Sequence, residues 1–460
     1  MNAKNLQLAY VGGGSKDWAM KLMYDLALEP ELCGTVRLYD IDRPAAELNA
    51  RLGNRISASE QSRGKWEYTV SASLEECLQG ADVVIISILP GTFEEMRSDV
   101  HQPEKYGIFQ PVGDTVGPGG MMRALRCVPM IAEIAEAISR ICPRAWVINY
   151  TNPMCACTLT LYEVFPQIRA IGCCHEVFSV QRLLAKMVEE LYGVKDIPRQ
   201  DIHVNVVGIN HFTLITKASW NGIDLFDVCE PFVSKYEKAG YSKHGELAWN
   251  TDPFAHANLV KFDLYRKYGF FGSAGDRHLS EFVPAQYLAN CDTPAQWKFA
   301  LTTVDYRIKQ RAERTEKVRQ LADGEIPLDI QHSGEEGVDI LKALAGVTSL
   351  VANVNLPNAG QIPNIPDGII VETNALIDTN GVFPVLSGAL TDPILAITMP
   401  HAYGQRDIVH AALAKDRGEA FRIFLLDPMV RRLDYDAAYS LFCEMESNTL
   451  PYLPWGTAVV

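Results

Sequence analysis

The stretch Leu6-Gln7-Leu8-Ala9-Tyr10-Val11-Gly12-Gly13-Gly14-Ser15 decides the reading of the fold. Its first half is short and apolar, as a strand buried on both faces is. Three glycines follow at once, and Ser15 stands where it can cap a helix predicted over 16–28, whose Ala19, Leu22, Met23 and Leu26 share one face. A strand, a glycine turn and a helix in that order bring backbone close to a ligand, and the helix N-terminus favours negative charge. Working outward, a second strand over 36–39 ends at Asp40, and Pro44 suits the first turn of a helix reaching about residue 60. Apolar strands follow over 82–89 and 145–149, separated by a helix over 124–141 that contains Pro129. Strands alternating with helices predict a parallel, doubly wound sheet of the Rossmann type, as in lactate and malate dehydrogenases.

The pattern then changes. A strand over 168–173 and a helix over 177–192, with Val180, Leu183, Leu184, Met187, Val188 and Leu191 on one face, complete the first half. Asn221-Gly222 and Asn380-Gly381, the latter after a strand over 368–371, are hairpin signals, and 402–426 reads as helical. The expected organisation is an α/β chain with an N-terminal nucleotide-binding domain over 1–190 and a C-terminal α+β domain over 191–460, without repeats or a flexible linker.

The chain has 460 residues, 48% hydrophobic and 21% charged, which is the balance of a globular protein too long for one core. Its 42 basic and 56 acidic side chains leave a net charge of −14. That charge repels phosphate backbones and argues against nucleic acid as a partner. No apolar run approaches the roughly 18 residues of a membrane helix, and the first residues do not read as a secretory leader. A cytoplasmic location is therefore expected, with the eleven cysteines kept as thiols.

Four clusters carry candidate chemistry. Gly12, Gly13, Gly14 and Ser15 form the phosphate turn, although Asp17 occupies the place of the usual third glycine. Asp40 can accept hydrogen bonds from a ribose diol and repel a 2′-phosphate, so NAD is the expected cofactor; the bland alternative is a tight turn and a surface aspartate. Cys174-His175-Glu176-Val177 lies between a strand end and a helix start, where a thiolate is stabilised, and Asn210-His211-Phe212 ends another apolar run. Cys174 and His211 can share one divalent metal with positions left open for substrate; equally, they can be a buried thiol and a core histidine. Asn149 and Asn152, in Asn149-Tyr150-Thr151-Asn152-Pro153, face either the cofactor and sugar or an Asx turn. The glycine-dense run 113–120, with Arg123 and Arg126 behind it, reads as a surface loop or as a substrate-side loop. Gly275-Asp276-Arg277-His278 offers Asp276 as a general base or forms a solvated salt-bridge cluster.

Taken together, Gly12–Ser15, 114–120, 149–153, 174–177, 210–212 and 368–384 resemble, in order and along nearly the whole chain, glycoside hydrolase family 4, the NAD- and metal-dependent glycosidases. The resemblance implies that NAD+ takes a hydride from C3 of the sugar. The neighbouring C2 proton becomes acidic, a base removes it beside Mn2+, the C1 group is eliminated, and water and hydride are returned. It is an exception to two-carboxylate hydrolysis. His175 and Val177 stand where members acting on 6-phosphosugars carry other residues, so the resemblance is to the subgroup acting on non-phosphorylated α-glycosides, first α-galacturonides, then α-glucosides or α-glucuronides. It implies Cys174 and His211 as metal ligands, Asn152 as a substrate- and metal-side group, and Asp276 as base, with Gly12, Gly14, Ser15 and Asp40 at NAD. His175 or Glu176 would assist the leaving group or contact the sugar. A uronate needs a guanidinium near C6, for which Arg97, Arg123 and Arg277 are candidates. The family habit is a homodimer or homotetramer.

Two readings of other classes stay open on residues alone. An NAD-dependent 2-hydroxyacid dehydrogenase would share the first domain but needs no thiolate-bound metal. A non-catalytic NAD-sensing regulator would bind NAD without a metal requirement.

Overall fold

A computed structural model describes residues 1–242, 249 and 252–456. The strand expected from the opening stretch is β1, Leu6–Val11. It sits centrally in a nine-stranded sheet that continues through β2 (Cys33–Tyr39), β3 (Lys65–Val70), β4 (Val83–Ile86), β5 (Trp146–Asn149) and β6 (Arg169–Gly172). These six are parallel, in the spatial order β3-β2-β1-β4-β5-β6, which reverses direction of growth at β1. The C-terminal ends of β1 and β4 thus flank a switch-point crevice, the place where such sheets bind ligands. β3 was not read from the sequence. Its alternation of exposed Lys65, Glu67 and Thr69 with buried Trp66 and Tyr68 marks an edge strand.

The helix after the glycines starts at Trp18, and Asp17, not Ser15, precedes it without a side-chain cap. Ser15 instead closes the loop on itself, its N–H donating to the Gly12 carbonyl. The glycine-dense run is helical from Gly117, so the helix expected over 124–141 spans Gly117–Ile141. Side chains would not fit there: a Cβ on Gly119 would lie 2.5 Å from the Asp99 carbonyl oxygen. Asp99 and Arg126, both buried, form a bidentate ion pair across this packing, Nη1 to Oδ1 at 2.9 Å.

The second half is less separate than its sequence implied. β7 (His203–Ile209), β8 (Phe212–Trp220), the short β9 (Ile223–Asp224) and β10 (Phe271–Gly272) form a small antiparallel sheet of their own. Yet β11 (Leu350–Pro357), β12 (Ile370–Asp378) and β13 (Gly381–Pro384) join the N-terminal sheet beyond β6 as antiparallel strands. Both hairpin signals hold, Asn221-Gly222 between β8 and β9 and Asn380-Gly381 between β12 and β13. The helical reading of 402–426 resolves into two helices, Asp392–Leu413 and Arg417–Leu426. Among the described residues no helix is long and apolar enough to cross a membrane.

Candidate active site

The glycine turn lies tight against its neighbours. Gly12 takes a φ of +88°, and a Cβ there would lie 2.1 Å from the Ser87 carbonyl oxygen, so only glycine fits. The Gly14 N–H donates to Asp40 Oδ2 at 2.8 Å, and Asn49 Nδ2 ties the Gly13 and Ser15 carbonyls together. Asp40 therefore stands beside the turn, as a ribose-binding carboxylate must. Asn149 is wholly buried, its amide accepts from the Thr151 N–H at 3.0 Å and donates to the Thr151 carbonyl, so it builds the turn.

Four chain segments converge below this crevice. The run 113–116 is held by Glu281, whose Oε1 accepts from the N–H groups of Val112 and Gly113 at 2.8 and 2.9 Å. This places Asp114 inward, 3.5 Å from Asn152 Nδ2. The two-residue turn Asn210-His211 joins β7 to β8, with His211 at a φ of +65° and Nδ1 2.7 Å from Thr115 Oγ1. His278 comes from the short helix Asp276–Phe282 and packs its ring against His211. Donor atoms of Asp114, His211 and His278 all lie within 4.8 Å of one another. Two imidazoles and a carboxylate are a donor set suited to a divalent ion such as Mn2+. Burial pushes both imidazoles toward the neutral form that ligates, His278 down to about 3. His278 Nδ1 and Asn152 Oδ1 are buried without a hydrogen-bond partner among the described residues, as unfilled ligand positions would be.

Cys174 stands outside this three-residue group. Its carbonyl accepts from Asn353 Nδ2, which also donates to the buried Glu372, and Glu372 in turn accepts from Asn210 beside His211. Burial, with the Glu372 and Glu176 carboxylates nearby, pushes the Cys174 thiol well up, the opposite of the stabilised thiolate expected from the helix start.

A cavity of about 360 Å³ opens against this cluster, lined in part by His175, Glu176, His256, Arg277 and His278. His175 stacks on Trp18 and lies 3.2 Å from Glu335 Oε1. Burial opposes its charge, but the Glu335 and Glu176 carboxylates prevail and raise its pKa. Glu176 accepts from the Gly275 N–H at 2.8 Å and lies 3.7 Å from His278. Asp276, by contrast, is wholly buried and does not line the cavity, although Gly275, Arg277 and His278 do. Its Oδ1 accepts from the Lys261 N–H, and its Oδ2, without a hydrogen-bond partner among the described residues, is 3.7 Å from the cavity residue His256. Arg123 is buried and donates to the Asn152 carbonyl at 3.1 Å. Arg97 is not among the residues of this cluster or cavity: its side chain lies on the exposed face of the helix Phe93–His101 and pairs with Asp305 at 2.7 Å. Asp114, His278, His256 and Glu335 were not assigned from the sequence. His278 and Asp114 lay inside quoted clusters, whereas His256 and Glu335 carry no local signal.

Residues 7–190 match the model of the family 4 glycosyl hydrolases, and residues 206–430 match that of the family 4 glycosyl hydrolase C-terminal domain. The chain belongs to glycosyl hydrolase family 4. That membership sets aside the dehydrogenase and regulator readings. Within the family, the chain is 52% identical to an α-galacturonidase of Thermoanaerobacter italicus, with 98% of each chain covered. It is 49% identical to an α-galacturonidase of Bacillus subtilis, with 96% of each covered. A crystal structure of the Bacillus subtilis protein lplD superposes with a TM-score of 0.91 at 48% identity, covering 96% of this chain and all of that one. The fold is shared with a 6-phospho-α-glucosidase from gut microorganisms solved with NAD and Mn2+, at a TM-score of 0.81 and 20% identity, covering 99% of this chain and 100% of that one.

Proposed function

We propose that this family 4 member is a cytoplasmic α-galacturonidase that keeps NAD bound through its cycle and works with Mn2+. The observation that carries it is the cavity itself: a histidine–carboxylate cluster with open ligand positions meets arginine on a cavity wall near the crevice at the glycine turn. Its high identity to curated α-galacturonidases along the whole chain supports the choice of sugar.

The glycine turn and Asp40 would hold the dinucleotide, with the helix N-terminus toward its pyrophosphate. His211, Asp114 and His278 would hold the ion, and Cys174 would join them as its thiol ionises on binding. When bound, NAD supplies reversible hydride acceptance at C3 and the ion polarises the C2 and C3 oxygens. Asn152 orients those hydroxyls beside Asp114. Removal of the C2 proton falls to Asp276 acting through His256, which lines the cavity and lies 3.7 Å from the carboxylate. His175, whose protonated form Glu335 and Glu176 favour, donates to the departing C1 oxygen. Arg277 and Arg123 supply positive charge for a uronate. We place the division between cofactor and substrate parts at 190/191 and propose a homodimer or homotetramer.

The test is a panel of p-nitrophenyl α-glycosides with NAD+, Mn2+ and a thiol. The galacturonide should turn over fastest. Faster turnover of the glucoside or the glucuronide would replace this reading with the corresponding activity.

A further inference from the structure

Arg307 differs from Arg314 and Arg319 on the helix Val304–Asp323. Arg314 pairs with Asp17, and Arg319 pairs with Glu316 and Glu325. The Arg307 Nε is buried without a hydrogen-bond partner, and the side chain makes no ion pair among the described residues. Arg277 is also buried, and its one hydrogen bond among those residues is to the Thr302 hydroxyl. The two guanidinium groups share an aromatic brace, with their central carbons 4.7 and 6.0 Å from the Phe254 ring centroid. Burial and the Arg277 charge beside it push Arg307 down to about 10. Two adjacent cations, with carboxylates such as Asp114 and Glu281 in range but none in an ion pair with them among the described residues, are costly to bury, and an anion that bridges them lowers the cost.

The helix also separates two anion sources. One turn on from Arg307, Arg311 acts on Lys16 beside the glycine turn, where a dinucleotide phosphate would lie. Arg307 instead feels Asp114 of the histidine–carboxylate cluster. Arg277 and Phe254 both line the cavity.

We propose that Arg277 and Arg307, braced by Phe254, form a two-guanidinium clamp for the C6 carboxylate of the sugar, so that Arg307 is a specificity-determining residue. This rests on the galacturonidase reading. A fork of fixed donors recognises a carboxylate in two places at once, and a neutral hydroxymethyl leaves those donors unpaired.

The experiment compares kcat/KM for p-nitrophenyl α-galacturonide and α-galactoside in the holoenzyme and in Arg307→Gln and Arg307→Lys. Arg307→Gln should lower the galacturonide-to-galactoside ratio about 100-fold, chiefly through KM. Arg307→Lys should recover part of that ratio, since it restores charge without the fork. An unchanged ratio overturns the clamp, and so does a loss of NAD+ affinity with the ratio retained, which assigns Arg307 to the cofactor phosphates. A wild-type enzyme inactive on the galacturonide refutes the function reading instead. The clamp is then judged by calorimetry: free D-galacturonate must bind wild type more tightly than D-galactose does, and Arg307→Gln must lose that preference. Equal preference in both proteins overturns it.

Discussion

The rings of His211 and His278 face each other with centroids 3.9 Å apart and planes inclined by 37°. One ring is carried by a hairpin turn and the other by a short helix, and Asp114 closes the triangle. Removing one imidazole takes away a ligand without disturbing the glycine turn. His278→Ala should weaken Mn2+ binding at least about 10-fold while NAD+ still binds. Isothermal calorimetry checks this, and undiminished Mn2+ affinity would take His278 out of the centre.

Cys174 tests the same centre from the other side. Its half-buried thiol lies among carboxylates and is pushed up; a bound cation would reverse that balance. Cys174→Ser should abolish turnover and leave NAD+ binding intact, as read by activity and by fluorescence titration. Near-normal turnover in Mn2+ would show that sulfur is dispensable.

Proton abstraction at C2 leaves an isotopic trace. Turnover in D2O should place deuterium at C2 of the released sugar, seen by mass spectrometry or NMR. Product without it would exclude elimination and, with it, Asp276 as the base.

Glu281 gives a pH dependence of stability. Burial raises its carboxyl from an ordinary 4.5 to about 8, although two backbone N–H groups oppose the shift. A folded pKa above the unfolded one means stability that is present at low pH and lost as pH rises through the folded value. In metal-free protein, Glu281→Gln should therefore gain melting temperature relative to wild type between about pH 5 and pH 8. Parallel melting curves across that range would contradict the raised carboxyl.

The Asp99–Arg126 pair predicts a large single-mutant cost. Arg126→Met strands a buried carboxylate and should destabilise by about 3–5 kcal/mol, whereas the double change Asp99→Leu/Arg126→Met should recover much of that loss. Denaturant unfolding of the three proteins measures both.

The first half of the fold was legible because its signals are local. β1, the glycine turn and Asp40 lie within one βαβ unit, and apolar runs such as Val83–Ile86 need no distant partner to be read. Legibility failed where backbone geometry overrode composition. Gly117, Pro118, Gly119 and Gly120 look like a loop, yet they open a helix, because the close approach of Asp99 demands small residues there. Asn149 and Asn152 look alike in sequence, but one is spent on a turn while the other reaches Asp114. Arg97 and Arg277 were equal candidates until the surface acid Asp305 claimed one and the cavity took the other.

The order of residues along the chain was enough to settle the doubly wound sheet, its crevice at β1 and the family, since periodicity and short motifs act over a few neighbours. Which imidazoles meet, which arginines go without acids, and how strands from residues 350–384 extend the first sheet were decided only by folding. Those outcomes depend on pairings between distant segments, where packing and desolvation choose among side chains that look equivalent in sequence.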